Sequence, residues 1–302
     1  MLVAHHLIHL LDAADKSGLI QEQITIVPFA NPIGLSQQLL GSHVGRFSLE
    51  TGVNFNRGYR DLGEVVAGNI ANKLSDDSTL NVEMIRDAIA VEIDNMKAAG
   101  EEAHLKKILL KLASSCDIVL DLHCDSDAVL HMYTHSKLWP NLADLAAELG
   151  SECHLLAVAA GGFPFDDACS CSWAYLAEKF PSFPIPMACE SATVELRGES
   201  DVSDELALRD ARSIFRFLQR RGYIAESTSG PDFSLSAPPI LKRQASDLSA
   251  VDMVEVEGIC CVMLCMCLFR NRSMLLGVAL RRKNGCLYTA PHSFTSRIFE
   301  TC

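Results

Sequence analysis

His123 ends the apolar run "CDIVLDLH" (116–123), and Asp121 precedes it by two residues. Side chains two apart in an extended chain share a face, so Asp121 is placed to orient the imidazole, as carboxylates do for metal-bound histidines. Glu195 lies in "ATVELRGES" (192–200), between Val194 and Leu196 on the opposite face. An acid with buried neighbours holds its proton more tightly and suits general acid–base work. Asn56 and Arg57 stand together in the Gly-flanked segment "NFNRG" (54–58). The guanidinium is a rigid two-pronged donor that matches a carboxylate. Arg46, in the same loop, is a further candidate anion contact. Each residue also has an ordinary reading: a hydrogen-bonded core histidine, a Glu that is solvated or paired with Arg197, a turn Asn beside a solvated Arg.

The elements that must position these residues are legible from period and punctuation. Residues 2–15 carry apolar positions at helical spacing and stop near Gly18. "ITIVPFANP" (24–32) is a short β-branched run followed by a loop. Residues 41–62 have no period and are rich in Gly, Asn and Arg, which predicts a functional loop. Helices are expected over 82–98, 101–114, 142–150 and 202–222, and strands over 116–123, 154–160 and 187–196. Strands alternating with helices predict an α/β fold, a mixed, mostly parallel sheet with helices on both faces. Ligands on such sheets bind beyond the carboxyl ends of the strands, where His123 and Glu195 lie.

The bulk numbers narrow the function. The chain has 302 residues, 49% hydrophobic and 21% charged, so a packed core is expected rather than disorder. A net charge of −12 argues against a nucleic-acid partner. No window of 18 uninterrupted apolar residues suggests a membrane span. The N-terminus lacks the basic start and cleavage site of a signal peptide, and no cysteines show the Cys-x2-Cys spacing of a structural zinc site. Reduced thiols and a cytoplasmic location are therefore expected. The domain reading is a catalytic unit over 1–225, a linker over 226–239 ("ESTSGPDFSLSAPP" and neighbours) and a small or degenerate C-terminal β segment over 240–302. Between Gly258 and Cys302 one acid, Glu300, stands against six basic residues, and half of the cysteines fall there. "CCVMLCMC" (260–267) has neither period. A Cys-rich buried strand and a shift of reading frame near residue 258 both account for this, and the shift is favoured.

Taken together and in order, "VPFANP" (27–32), "GRFSLETGVNFNRGY" (45–59), "LDLHCDSDAVLHMYT" (120–134) and "ATVELRGESDV" (192–202) resemble the succinylglutamate desuccinylase/aspartoacylase family, a branch of the zinc carboxypeptidase clan. The similarity covers roughly 1–257. It implies a zinc carboxypeptidase-like fold and a zinc-dependent amidohydrolase that removes an acyl group, expected to be acetyl, from an N-acyl amino acid. It implies that His123 is a zinc ligand, that Asn56 and Arg57 grip the substrate carboxylate, and that Glu195 is the catalytic acid/base. "ESATVELRGESDV" is similar to the branch that deacetylates diamino acids such as acetylated diaminobutyrate.

The family draws its other two zinc ligands from a His-Gly-Asp-Glu-like segment before the first helix, and no such segment occurs in these 302 residues. A catalytic zinc takes three protein ligands. The chain is thus expected to be N-terminally truncated, holding Zn2+ through His123 with two further ligands missing. His5 and His9 share a helix face at metal-binding spacing, but nothing in the sequence brings that face to His123. Two other classes stay open: a non-catalytic remnant that binds a small carboxylate, and the non-functional product of a decayed gene. The partner expected is a small-molecule N-acyl amino acid, with no nucleic acid and no membrane, and self-association into a homo-oligomer is left open.

Overall fold

In the computed structural model, helices cover both faces of one mixed sheet. The structure describes residues 1–226 and the strands at 264–269 and 287–288. The elements run α1 (Leu2–Lys16), β1 (Gln23–Val27), α2 (Pro32–Ser36), β2 (Gln38–Leu39), β3 (Ser42–His43), α3 (Gly63–Ile70), α4 (Ser78–Asn95) and α5 (Gly100–Ala113). They continue with β4 (Ile118–Asp125), β5 (Leu130–His135), α6 (Trp139–Leu149), β6 (Cys153–Ala157), α7 (Phe165–Lys179), β7 (Glu190–Gly198), α8 (Asp204–Arg220), β8 (Leu264–Phe269) and β9 (Leu287–Tyr288). Among the described residues the main sheet has the order β6-β5-β7-β4-β8-β1-β9, and β2 and β3 form a separate hairpin. No described helix is long and apolar enough to cross a membrane.

Strand alternation sorts the core into two halves. Leu120 and Leu122 of β4, Leu130 and Met132 of β5, and Ala192 and Val194 of β7 point to one face, under α1, α6 and α8. Val119 points to the other, with Phe165, Cys169 and Trp173 of α7 and the buried residues of α3, α4 and α5. Period-two alternation then obliges Asp121, His123, His131, Tyr133, Thr193 and Glu195 to share the α7 face. α1, with His5 and His9, packs on the opposite face, so the sheet separates those histidines from His123. The His5 and His9 rings contact each other at 4.5 Å between centroids, and His6 bonds Asp204 at 3.0 Å.

The expected helices and strands are present, with boundaries displaced by a few residues. The sequence does not announce α2, the β2–β3 hairpin, α3, α7 or β5. α7 has no apolar stripe because it is enclosed almost all round; Phe165, Asp166, Asp167, Cys169, Ser170, Ser172, Trp173 and Leu176 are all buried. The Cys-rich stretch without a period contains β8, which pairs antiparallel with β1 on one edge and β4 on the other. The expected linker, the rest of the C-terminal β segment and the proposed frame shift near 258 lie outside the described residues.

Candidate active site

Parallel pairing of β4 with β7 sets His123 directly opposite Glu195. Antiparallel pairing of β7 with β5 sets His131 opposite the same Glu195. Neighbouring strands lie about 4.8 Å apart, so the three side chains form one row on the α7 face, with the carboxylate in the middle. The row lies at the carboxyl ends of β4 and β7, as the sequence predicts.

His123 is 3% exposed, and Asp121 is fully buried. Asp121 Oδ2 lies 2.7 Å from His123 Nε2, which fixes the ring from the strand side. The Asn56 amide stands 3.5 Å from the same nitrogen through Nδ2. Its Oδ1 accepts the Phe165 backbone N–H at 2.9 Å. Both ends of this buried amide are therefore engaged inside the protein, linking the 54–58 loop, β4 and the start of α7.

Glu195 has Oε2 buried without a hydrogen-bond partner among the described residues. Burial pushes its carboxyl up from the ordinary value; His123 and His131 oppose this, and Asp125 and Asp121 add to it. Arg197, the alternative partner considered for Glu195, instead makes a two-pronged contact with Asp210 of α8, at 2.8 and 2.6 Å. Burial also pushes Asp166, at the start of α7, up to about 7, with Asp167 and Asp121 adding to it. Asp166 Oδ1 is buried and has no hydrogen-bond partner among the described residues.

The loop that carries Arg57 is clamped from two sides. Lys106 of α5 donates to the carbonyls of Asn54 and Arg57, at 3.2 and 2.8 Å. Gly58 and Tyr59 donate to the carbonyls of Gly162 and Phe163, at 2.7 and 3.2 Å. The Arg57 stem lies over Gly162, where φ is +77° and a Cβ would come within 2.9 Å of Arg57 Cδ. The guanidinium donates to the Asn56 carbonyl at 2.8 Å and lies in the field of Tyr133 and Asp167. Arg46 reaches the site through its backbone, its carbonyl accepting the Phe55 N–H at 3.0 Å. The Arg46 guanidinium carbon sits 5.7 Å from the Phe47 ring centroid, and Nε is buried without a hydrogen-bond partner among the described residues. The "FANP" segment holds this loop in place, because Asn31 caps α2 at Gly34 N and donates to the Gly45 carbonyl at 3.1 Å.

The structure thus brings together His123, Asp121, Glu195, Asn56 and Arg57. It adds His131, Tyr133 and Asp166, which sequence reasoning missed. For the first two the signal was present: His131 and Tyr133 alternate with Leu130 and Met132 in "LHMY" (130–133). A metal needs more than this row supplies. Among the described residues no three His, Cys, Asp or Glu side chains converge as ligands. His123, with Asp121 behind it, fits one ligand of a zinc centre, and the described residues do not complete one.

No family model and no curated protein matches the chain. Solved structures do. A protein from Shewanella amazonensis SB2B assigned to the succinylglutamate desuccinylase/aspartoacylase family is 28% identical, with a TM-score of 0.61, over 75% of this chain and 61% of that one. A protein from Shewanella frigidimarina NCIMB 400 assigned as a succinylglutamate desuccinylase/aspartoacylase shares the fold at 24% identity and a TM-score of 0.61, over 77% of this chain and 62% of that one. The chain therefore spans about three fifths of the length of these relatives. The order of the four motifs, the row that two of them form on the α7 face and the likeness in fold and sequence agree: this chain is similar to proteins of the succinylglutamate desuccinylase/aspartoacylase family.

Proposed function

We propose that the chain carries the acid/base and substrate-binding half of a deacylase that hydrolyses the amide bond of an N-acyl amino acid. The observation that supports this best is the register that sets Glu195 opposite His123 on the face where Asn56 and Arg57 arrive. In this reading Glu195 takes a proton from the attacking water as its oxygen bonds to the acyl carbon. As the C–N bond breaks, the same carboxyl returns that proton to the leaving nitrogen. Burial raises its affinity for the proton, which suits a group that must both accept and return one near neutral pH. Arg57 supplies the fixed positive charge for the substrate carboxylate. Asn56 is a positioning residue that holds the His123 ring against the start of α7.

In the family, polarisation of the acyl carbonyl belongs to zinc. The described residues furnish one of its ligands, so that step is not placed on them. The preferred substrate is an N-acetylated diamino acid, on the strength of the 190–202 segment. The test is acetate release from N-acetyl-L-2,4-diaminobutyrate, and from a panel of other N-acyl amino acids, by the full chain in zinc-containing buffer. Release is expected for the diamino acid. Release from none of the panel would overturn the reading. A non-catalytic carboxylate-binding role would show instead as ligand binding without release, which is the outcome expected if the site takes no metal.

A further inference from the structure

Tyr133 is the one exposed side chain of β5, at 38%, although β5 is paired along both edges, with β7 and β6. A mid-strand residue in that position meets solvent only where the helix layer leaves an opening above it. The opening lies beside the His123–Glu195–His131 row. The Tyr133 and His131 rings meet edge to face, with centroids 5.4 Å apart. His131 is itself fixed. Its Nδ1 lies 2.8 Å from the Val129 carbonyl, and a carbonyl only accepts, so Nδ1 carries the proton. That lock holds the surface on which the phenol rests.

The groups around the hydroxyl define what it would bind. Glu195, Asp125 and Arg57 all act on it electrostatically, the two acids against the charged form and the cation for it. The hydroxyl makes no hydrogen bond to the described residues. Burial, with Glu195 next, pushes its pKa up to about 12, so it keeps its proton and acts as a donor at neutral pH. A neutral donor beside a fixed cation matches the two oxygens of a carboxylate. The two acids would repel such a group and Arg57 would attract it.

We propose that Tyr133 is a substrate-contacting specificity residue, whose hydroxyl donates to the carboxylate of the N-acyl amino acid beside Arg57. This rests on the deacylase reading above. The test is calorimetric affinity of the full chain, without added metal, for N-acetyl-L-2,4-diaminobutyrate and for its carboxamide, in wild type and Tyr133→Phe. The wild-type chain is expected to prefer the acid. Tyr133→Phe is expected to lose about tenfold affinity for the acid, the scale of one hydrogen bond to a charged group, and little for the carboxamide. A merely structural role would weaken both ligands alike. Equal losses, or no loss for the acid, would overturn the assignment while leaving the deacylase reading intact. Failure of the wild-type chain to bind either ligand would overturn both.

Discussion

Glu195 stands directly opposite His123 across a parallel strand pair, and both side chains leave the sheet on the α7 face. This relationship is set by register, not by a loop. A one-residue slip of β7 against β4 would turn Glu195 into the apolar half of the core, where Ala192 and Val194 now lie. Burial of those two residues keeps Glu195 on its face, and Arg197, two residues beyond Glu195 along β7, is held by a different device.

That device yields the first prediction. Arg197 adopts φ +74°, and its two-pronged contact with Asp210 ties the end of β7 to α8. Asp210 is 2% exposed. Arg197→Met would leave this buried carboxylate with the exposed Arg209, 3.7 Å away, as its remaining cation and is expected to cost about 3 kcal/mol of stability. Denaturant unfolding of the two proteins measures this. A loss below about 1 kcal/mol would show that the pair is not what anchors the strand end.

The second prediction concerns Gly162. Its φ of +77° disfavours any side chain, and a Cβ there would press on Arg57 Cδ at 2.9 Å. Gly162→Ala is expected to displace the guanidinium and raise KM for the N-acyl amino acid about tenfold or more, with a smaller change in kcat. Steady-state kinetics with the acid substrate separates the two. An unchanged KM would mean that Arg57 does not grip the substrate from this position.

The third prediction follows from Asp166. Burial raises its carboxyl from 3.8 to about 7 in the folded protein. The folded state therefore binds the proton more tightly than the unfolded chain does. The stability contributed by this group is fully present below about pH 4 and is lost as pH rises from about 4 to 7. Asp166→Asn cannot ionise. The Tm of that variant relative to wild type is expected to climb by several degrees between pH 5 and pH 8. A difference that stays flat with pH would mean that Asp166 ionises in the folded protein as it does in water.

Much of this site was legible in the sequence. Asp121 and His123 could be read as one unit because strand alternation is strict, and the structure holds their side chains 2.7 Å apart. Glu195 could be placed on a face from Val194 and Leu196 alone. What periodicity could not show is which strands are neighbours, so the meeting of His123, Glu195 and His131 in one row required the sheet order. α7 was hidden for a different reason. A helix enclosed on nearly all sides, with Asp166, Asp167, Ser170 and Ser172 among its buried residues, has no polar stripe to reveal its period. For Asn56, expected from the family resemblance to contact substrate, the structure adds a partner that no local pattern predicts: Oδ1 accepts the N–H of Phe165, 109 residues away.

The claim that Glu195 carries the proton is the centre of this account, and one comparison tests it most directly. Acetate release from N-acetyl-L-2,4-diaminobutyrate would be measured in zinc-containing buffer for the wild-type chain and for Glu195→Gln, with circular dichroism to show that both are folded. The account predicts release by the wild-type chain and a fall of about a hundredfold or more in the variant, with affinity for the substrate retained. Release at a similar rate by both proteins would contradict it.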